Sequence, residues 1–168
     1  MKRTNLLPGL NQKVRFEYAK IDNFSVEKSD DIFAGKIVFN PTILLINLSA
    51  RLNYQIAKIN HVWVNVTISL LKMNLHIGDT ISFTARIMKY EKFNSDINLN
   101  VIDIGFNYIY NVNIISTEKN GKSLNDYLLE CIYRNDMIIP DKYLNYAYKY
   151  ILTEKNNKLI EKINKRKE

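Results

Sequence analysis

Between positions 12 and 115, apolar and polar residues alternate with a period of two, broken by short polar stretches. Beyond Gly121 the apolar spacing lengthens to that of helices. The first alternating run, residues 13–19, sets Val14, Phe16 and Tyr18 on one face against Arg15 and Glu17 on the other. An acidic connection at 22–35 carries Asp22, Glu27, Asp30 and Asp31 and ends at Gly35. Residues 36–39 and 42–49 then read as a second strand bent at Pro41, which cannot donate to a ladder. Residues 60–66 form a third strand, with His61, Trp63 and Asn65 opposite Val62, Val64 and Val66.

A short helix or turn fits 67–73, and Ile77-Gly78-Asp79 turns the chain into a fourth strand at 80–90. There Ile81, Phe83, Ala85 and Ile87 face the core, while Ser82, Thr84, Arg86, Met88 and Tyr90 face outward. Residues 91–100 read as polar loop. Residues 106–115 read as a fifth strand, with Phe106, Tyr108, Tyr110, Val112 and Ile114 on one side and the two tyrosines partly buried. Ser123 followed by Asp126 resembles a capping box opening a helix to about residue 135. Pro140 suits the first turn of a second helix, whose apolar side comprises Leu144, Tyr148, Ile151 or Leu152, Leu159 and Ile163.

Five strands with a helix between the third and fourth predict a mainly β protein, a five-stranded OB-like Greek-key barrel with a C-terminal helical extension. The predicted boundaries are 1–121 for the barrel and 122–168 for the helices, which end in a basic, mobile tail. These helices offer a surface for homo-oligomerisation.

Composition alters this picture in three ways. Lys plus Arg number 24 against 17 Asp plus Glu, a formal charge of +7, which favours an anionic partner. Asn, Ile, Lys and Tyr make up 74 of the 168 residues, and all four use A/T-rich codons, so part of the lysine excess reflects codon usage and the charge is discounted. The single cysteine, Cys131, forms no intramolecular disulfide and suits a cytoplasmic protein. No apolar run approaches the ~20 residues of a membrane helix, so no membrane partner is expected.

Candidate enzyme chemistry is sparse. The five glycines are isolated and build no phosphate loop, and His61 and His76 stand apart from Cys131. No metal-ligand spacing stands out, and Asp30-Asp31 has no nearby basic or histidine partner. The expectation is therefore a binding protein without catalytic residues, metal or cofactor.

The segment His61-Val62-Trp63-Val64-Asn65, followed by Gly78-Asp79-Thr80-Ile81-Ser82-Phe83-Thr84-Ala85-Arg86-Ile87 and Tyr90, resembles small proteins of phages and chromosomal islands in low-GC Gram-positive bacteria. Those proteins share an Asp-His-x-Trp pattern before a Gly-Asp-x-(Ile/Val)-x-Phe-x-Ala-Arg-Val-x-x-Tyr block, and Asp103-Ile104-Gly105-Phe106 is similar to a later segment of theirs. The resemblance covers positions 42–115 and implies an OB-like barrel acting in replication or defence conflict, with single-strand DNA binding as the leading activity. Asn60 stands where the pattern has Asp, removing a carboxylate that could orient His61, and the C-terminal helices lie outside the shared block.

Single-strand binders combine aromatic stacking platforms with cations that follow the backbone. Trp63 is the candidate platform, Arg86 and Tyr90 the candidates for base or sugar, and Lys58, Lys89 and Lys92 for phosphates. Phe93 joins Lys89 and Lys92 at the entrance to the loop after the fourth strand. The expected partner is single-stranded DNA, with RNA as an alternative. The acidic loop at 22–35 would repel phosphate, which keeps open a protein-binding module, such as a replication accessory subunit or an inhibitor docking on a nucleic-acid enzyme.

Overall fold

The computed structural model describes residues 4–27, 32–33, 36–94, 96–134, 136–152 and 165, with the side chains of Thr4, Ile32, Phe33 and Phe93 excepted. A 3-10 turn at Thr4–Gly9 leads into β1 (Lys13–Val26), β2 (Ile32–Phe33), β3 (Lys36–Val38), β4 (Pro41–Leu52) and β5 (Gln55–Asn65). Next come α1 (Ile68–Met73), β6 (Thr80–Arg86), β7 (Met88–Asn94), β8 (Leu99–Gly105) and β9 (Ile109–Ser116). The chain then forms α2 (Leu124–Tyr133), β10 (Met137–Ile138) and α3 (Asp141–Tyr146), which continues into a π-turn at Ala147–Ile151. Two compact units result: Met1–Asn23, Ile43–Asn65 and Gly78–Glu118 form the first, and Phe24–Thr42, Val66–Ile77 and Lys119–Glu168 the second.

The first unit is organised by a five-stranded antiparallel sheet in the order β5-β4-β1-β6-β9. The alternation read from the sequence selects its buried side. Val14 and Phe16 from β1, Leu45 and Leu48 from β4, Val62 and Val64 from β5, and Ile81, Phe83 and Ala85 from β6 are all buried. Phe16 stacks on Phe83 with ring centroids 4.9 Å apart, and Phe106 tilts against both at 4.9 and 5.7 Å. Such aromatic triads add about 0.5–1.5 kcal/mol per pair beyond the area they bury. Asn53 and Tyr54, with φ of 45° and 68°, form the two-residue primed turn that joins β4 to β5.

Bulges adjust the ladders. Between Phe16 and Ala19 the β1–β6 register shifts by one residue, moving Glu17 and Tyr18 out of step. A second shift between β6 and β9 accompanies Asn111, whose φ is 49°. Gly78 takes φ of 96°, and a Cβ there would lie 2.8 Å from the Glu118 side chain, so the turn into β6 depends on glycine. The neighbouring Asp79 is fully buried and accepts from the Glu118 N–H at 2.7 Å.

The second unit gathers the helices around a small sheet ordered β10-β3-β2, in which β10 runs parallel to β3. Thr67 caps α1, and Asn74 ends it in the left-handed conformation. The Asn74 side chain then accepts from the Asn125 N–H at 3.2 Å, while Leu124 N–H donates to the Leu75 carbonyl at 2.7 Å. Ser123 Oγ accepts from Asp126 N–H and donates to its carboxylate, so the expected cap is present. Phe39 meets Tyr143 edge-on at 5.1 Å, and Cys131 is buried, which pushes its thiol pKa up.

Several expectations are corrected. The sheet is not closed into a barrel: among the described residues, one bond, Asn65 N–H to the Asn107 carbonyl at 2.7 Å, stands where a ladder would close it. The bent second strand is two strands in different sheets, because Pro41 separates β3 from β4. The expected polar loop at 91–100 is largely β-ribbon, β7 pairing with β8 from Met88↔Gly105 to Asn94↔Leu99. The fourth strand breaks at Ile87. Tyr108 is 58% exposed rather than partly buried. In the second C-terminal helix Tyr143, Leu144, Tyr146 and Ala147 are buried while Tyr148 is exposed, since the π-turn rotates the apolar side. Leu159, Ile163 and, apart from Lys165, the predicted mobile tail lie outside the described residues, as do Asp30, Asp31 and Gly35 of the acidic connection.

Candidate nucleic-acid interface

Of the candidates, Lys58, Trp63 and Arg86 lie on strands of the five-stranded sheet, and Lys89, Tyr90, Lys92 and Phe93 on the separate β7–β8 ribbon, so the strand order divides them into two groups. On β5, burial of Ala57, Ile59, Val62 and Val64 forces Lys58, His61 and Trp63 outward. Trp63 is 42% exposed. It stands between two buried valines on an edge strand of the sheet. The Asn5 side chain donates to the Lys58 carbonyl, tying this strand to the N-terminal turn while leaving the ammonium exposed.

The second group follows β6 into β7. Arg86 is exposed at the end of β6, and Lys89 and Lys92 are exposed on β7. Tyr90 is half-buried and its hydroxyl donates to the Asp103 carboxylate at 3.2 Å across the ribbon. Phe93 lies in β7 by its backbone, opposite Asn100, and its side chain is outside the described residues. Glu91, between Lys89 and Lys92, makes the ribbon's charge mixed. Arg86 ends β6, and on the β7 ribbon that follows Tyr90 and Lys92 share one face while Lys89 lies on the other; Lys58 and Trp63 stand across β4 and β1 from Arg86, three strand spacings or ~14 Å away.

The register adds residues that sequence reading missed. Lys13 of β1 sits directly opposite Arg86 of β6. Like charges facing each other across strands are unfavourable, and the Lys13 ammonium lies 5.9 Å from the Tyr110 ring centroid. Two positions along, Arg15 is fixed by donation to the Asn111 carbonyl and to Ser82 Oγ, each at 2.6 Å. The bulge at Asn111 aims that carbonyl toward the guanidinium. The Tyr110 hydroxyl is buried without a hydrogen-bond partner. Nothing in the spacing of Lys13 and Arg86 announces their pairing; only the β1–β6 register does.

No protein-family model, no curated protein and no solved structure matches this chain. Among the described residues, the exposed aromatic side chains of the first unit are Tyr18, Tyr54, Trp63 and Tyr108, of which Tyr54 at the β4–β5 turn is fully exposed. Among the described residues, no cluster of three or more His, Cys, Asp or Glu side chains is gathered. No helix among them is long and apolar enough to cross a membrane.

Proposed function

We propose that this chain binds single-stranded nucleic acid on the outer side of its five-stranded sheet, and that the sheet is an OB-like scaffold opened between its third and fifth strands. The strand order supports the scaffold: the fourth sheet strand lies beside the first, as in a Greek key, and the fifth lies beside the fourth. The observation that carries the activity is the exposed Trp63 ring, with Lys58 and His61 on the same side of β5. An unpaired base stacks on such a ring with little regard to its identity, while Lys58 and Arg86 on the sheet, with Lys92 on the adjoining ribbon, meet phosphates. As the resemblance implies, the strands bound are those exposed when a mobile element replicates.

Fluorescence anisotropy with labelled single-stranded and duplex oligonucleotides at two salt concentrations tests this. Neutralising three or four phosphates gives a slope of log affinity against log salt of about −2 to −3. Duplex competes poorly, because its bases are already stacked. Trp63→Ala weakens binding by about 1–3 kcal/mol and leaves the slope alone, whereas Arg86→Ala flattens the slope by about 0.7. Absence of salt-sensitive binding to either oligonucleotide at micromolar protein would end this reading. A protein partner is the second reading, favoured by Ile97, Leu99 and Ile102, which are exposed on the β7–β8 ribbon.

A further inference from the structure

We propose that two copies of this chain associate through the free edge of β7, antiparallel about a two-fold axis at Tyr90, to form a four-stranded ribbon β8-β7-β7-β8. The ribbon is a two-stranded sheet, and among the described residues β8 is the only strand paired with β7. Backbone groups of successive residues point to alternate edges of a strand. Ile87 directs both of its groups away from β8, accepting from Asn11 N–H at 2.8 Å and donating to the Gln12 carbonyl at 3.1 Å. The register from Met88↔Gly105 to Asn94↔Leu99 is unbroken. The N–H and C=O groups of Lys89, Glu91 and Phe93 therefore point to the same side as those of Ile87, where the ladder with β1 has ended.

A two-fold axis normal to the ribbon keeps each side chain on its own face, so it must pass through a residue of β7. Centred on Lys89, Glu91 or Lys92, it sets identical charges against each other. Centred on Phe93, it faces no opposite charges. Centred on Tyr90, it places Lys89 opposite Glu91 of the second copy and Glu91 opposite its Lys89. Both residues are exposed and unshielded in the monomer. In this register they are also the residues whose backbone groups face the partner, so each Lys–Glu rung exchanges two backbone hydrogen bonds as well as a side-chain attraction. Tyr90, steadied by Asp103, meets its own copy on the axis. At the next rung in this parity, Phe93 would meet Ile87, whose backbone groups are already taken, and pairing stops there. The result is a closed, isologous contact.

The test uses the full chain without nucleic acid, so it stands or falls independently of the binding proposed above. Sedimentation velocity of the unaltered protein should show reversible self-association at micromolar concentration. Glu91→Lys makes both symmetric rungs Lys–Lys, and Lys89→Glu makes both Glu–Glu. Each variant alone should associate at least about tenfold more weakly. An equimolar mixture should regain association as a heterodimer, because all four charges are then complementary. Both positions are on the exposed ribbon, so folding is checked simply by circular dichroism. A protein that stays monomeric throughout, single variants that still dimerise, or a mixture that stays dissociated would each overturn the proposal.

Discussion

The β4–β5 and β7–β8 hairpins are both antiparallel pairs from one unit, yet they obey different rules. In the first, Ile43, Leu45, Leu48 and Ala50 face inward with Ala57, Ile59, Val62 and Val64. Slipping such a pair by one residue would expose every one of them, so burial specifies the register. In the second, Ile104 is buried at the base, while Leu99 and Ile102 are 62% and 67% exposed. The ribbon's register rests on hydrogen bonds and its continuity with β6 and β9. A covered hairpin is held by what lies beneath it, whereas a bare one is held by what it grows out of.

The largest effect that separates them should come from Leu45→Ala. Leu45 is fully buried, and its truncation should cost about 2–5 kcal/mol in urea unfolding. A loss well below that would mean the covered hairpin is not anchored as described.

Tyr54→Gly should act in the opposite direction. Tyr54 holds φ of 68° with its side chain fully exposed, so glycine relieves left-handed strain while losing no contact. The gain, reduced by the greater freedom of glycine in the unfolded chain, should be up to about 1 kcal/mol and raise the melting temperature. A fall in stability would show that the Tyr54 ring has a partner.

The smallest effect belongs to Ile102→Thr on the ribbon, within about 0.5 kcal/mol at low protein concentration. Should the same substitution become costly only as concentration rises, the bare face is covered by a second copy.

The same contrast explains what could be read from the sequence. Ile81, Phe83, Ala85 and Ile87 alternate because one side of this strand is buried, and the alternation alone marks all four as core. Ser123 and Gly78 announce a cap and a turn through their own local chemistry. Residues 91–100 were unreadable as strand because neither face of the ribbon is fully covered, so no period of two is imposed on them. The start of β5 at Gln55 was missed because Asn53-Tyr54 lacks the glycine that usually marks a primed turn. Of the candidate site, Trp63 and Arg86 were legible as outward residues on strands. Their separation by β4 and β1 was not, since strand order is set by long-range pairing that adjacent sequence does not encode.

The rung where Lys13 faces Arg86 sets like charges on neighbouring strands, an arrangement that disfavours the fold slightly. Any anion shared by those two side chains removes that repulsion as it binds. Occupancy and fold stability are then thermodynamically linked: a ligand that prefers the folded chain raises its melting temperature in proportion to the logarithm of its concentration. The sheet would thus be most robust with such an anion in place, and ordinary salt would mimic a little of that protection by screening the same two charges.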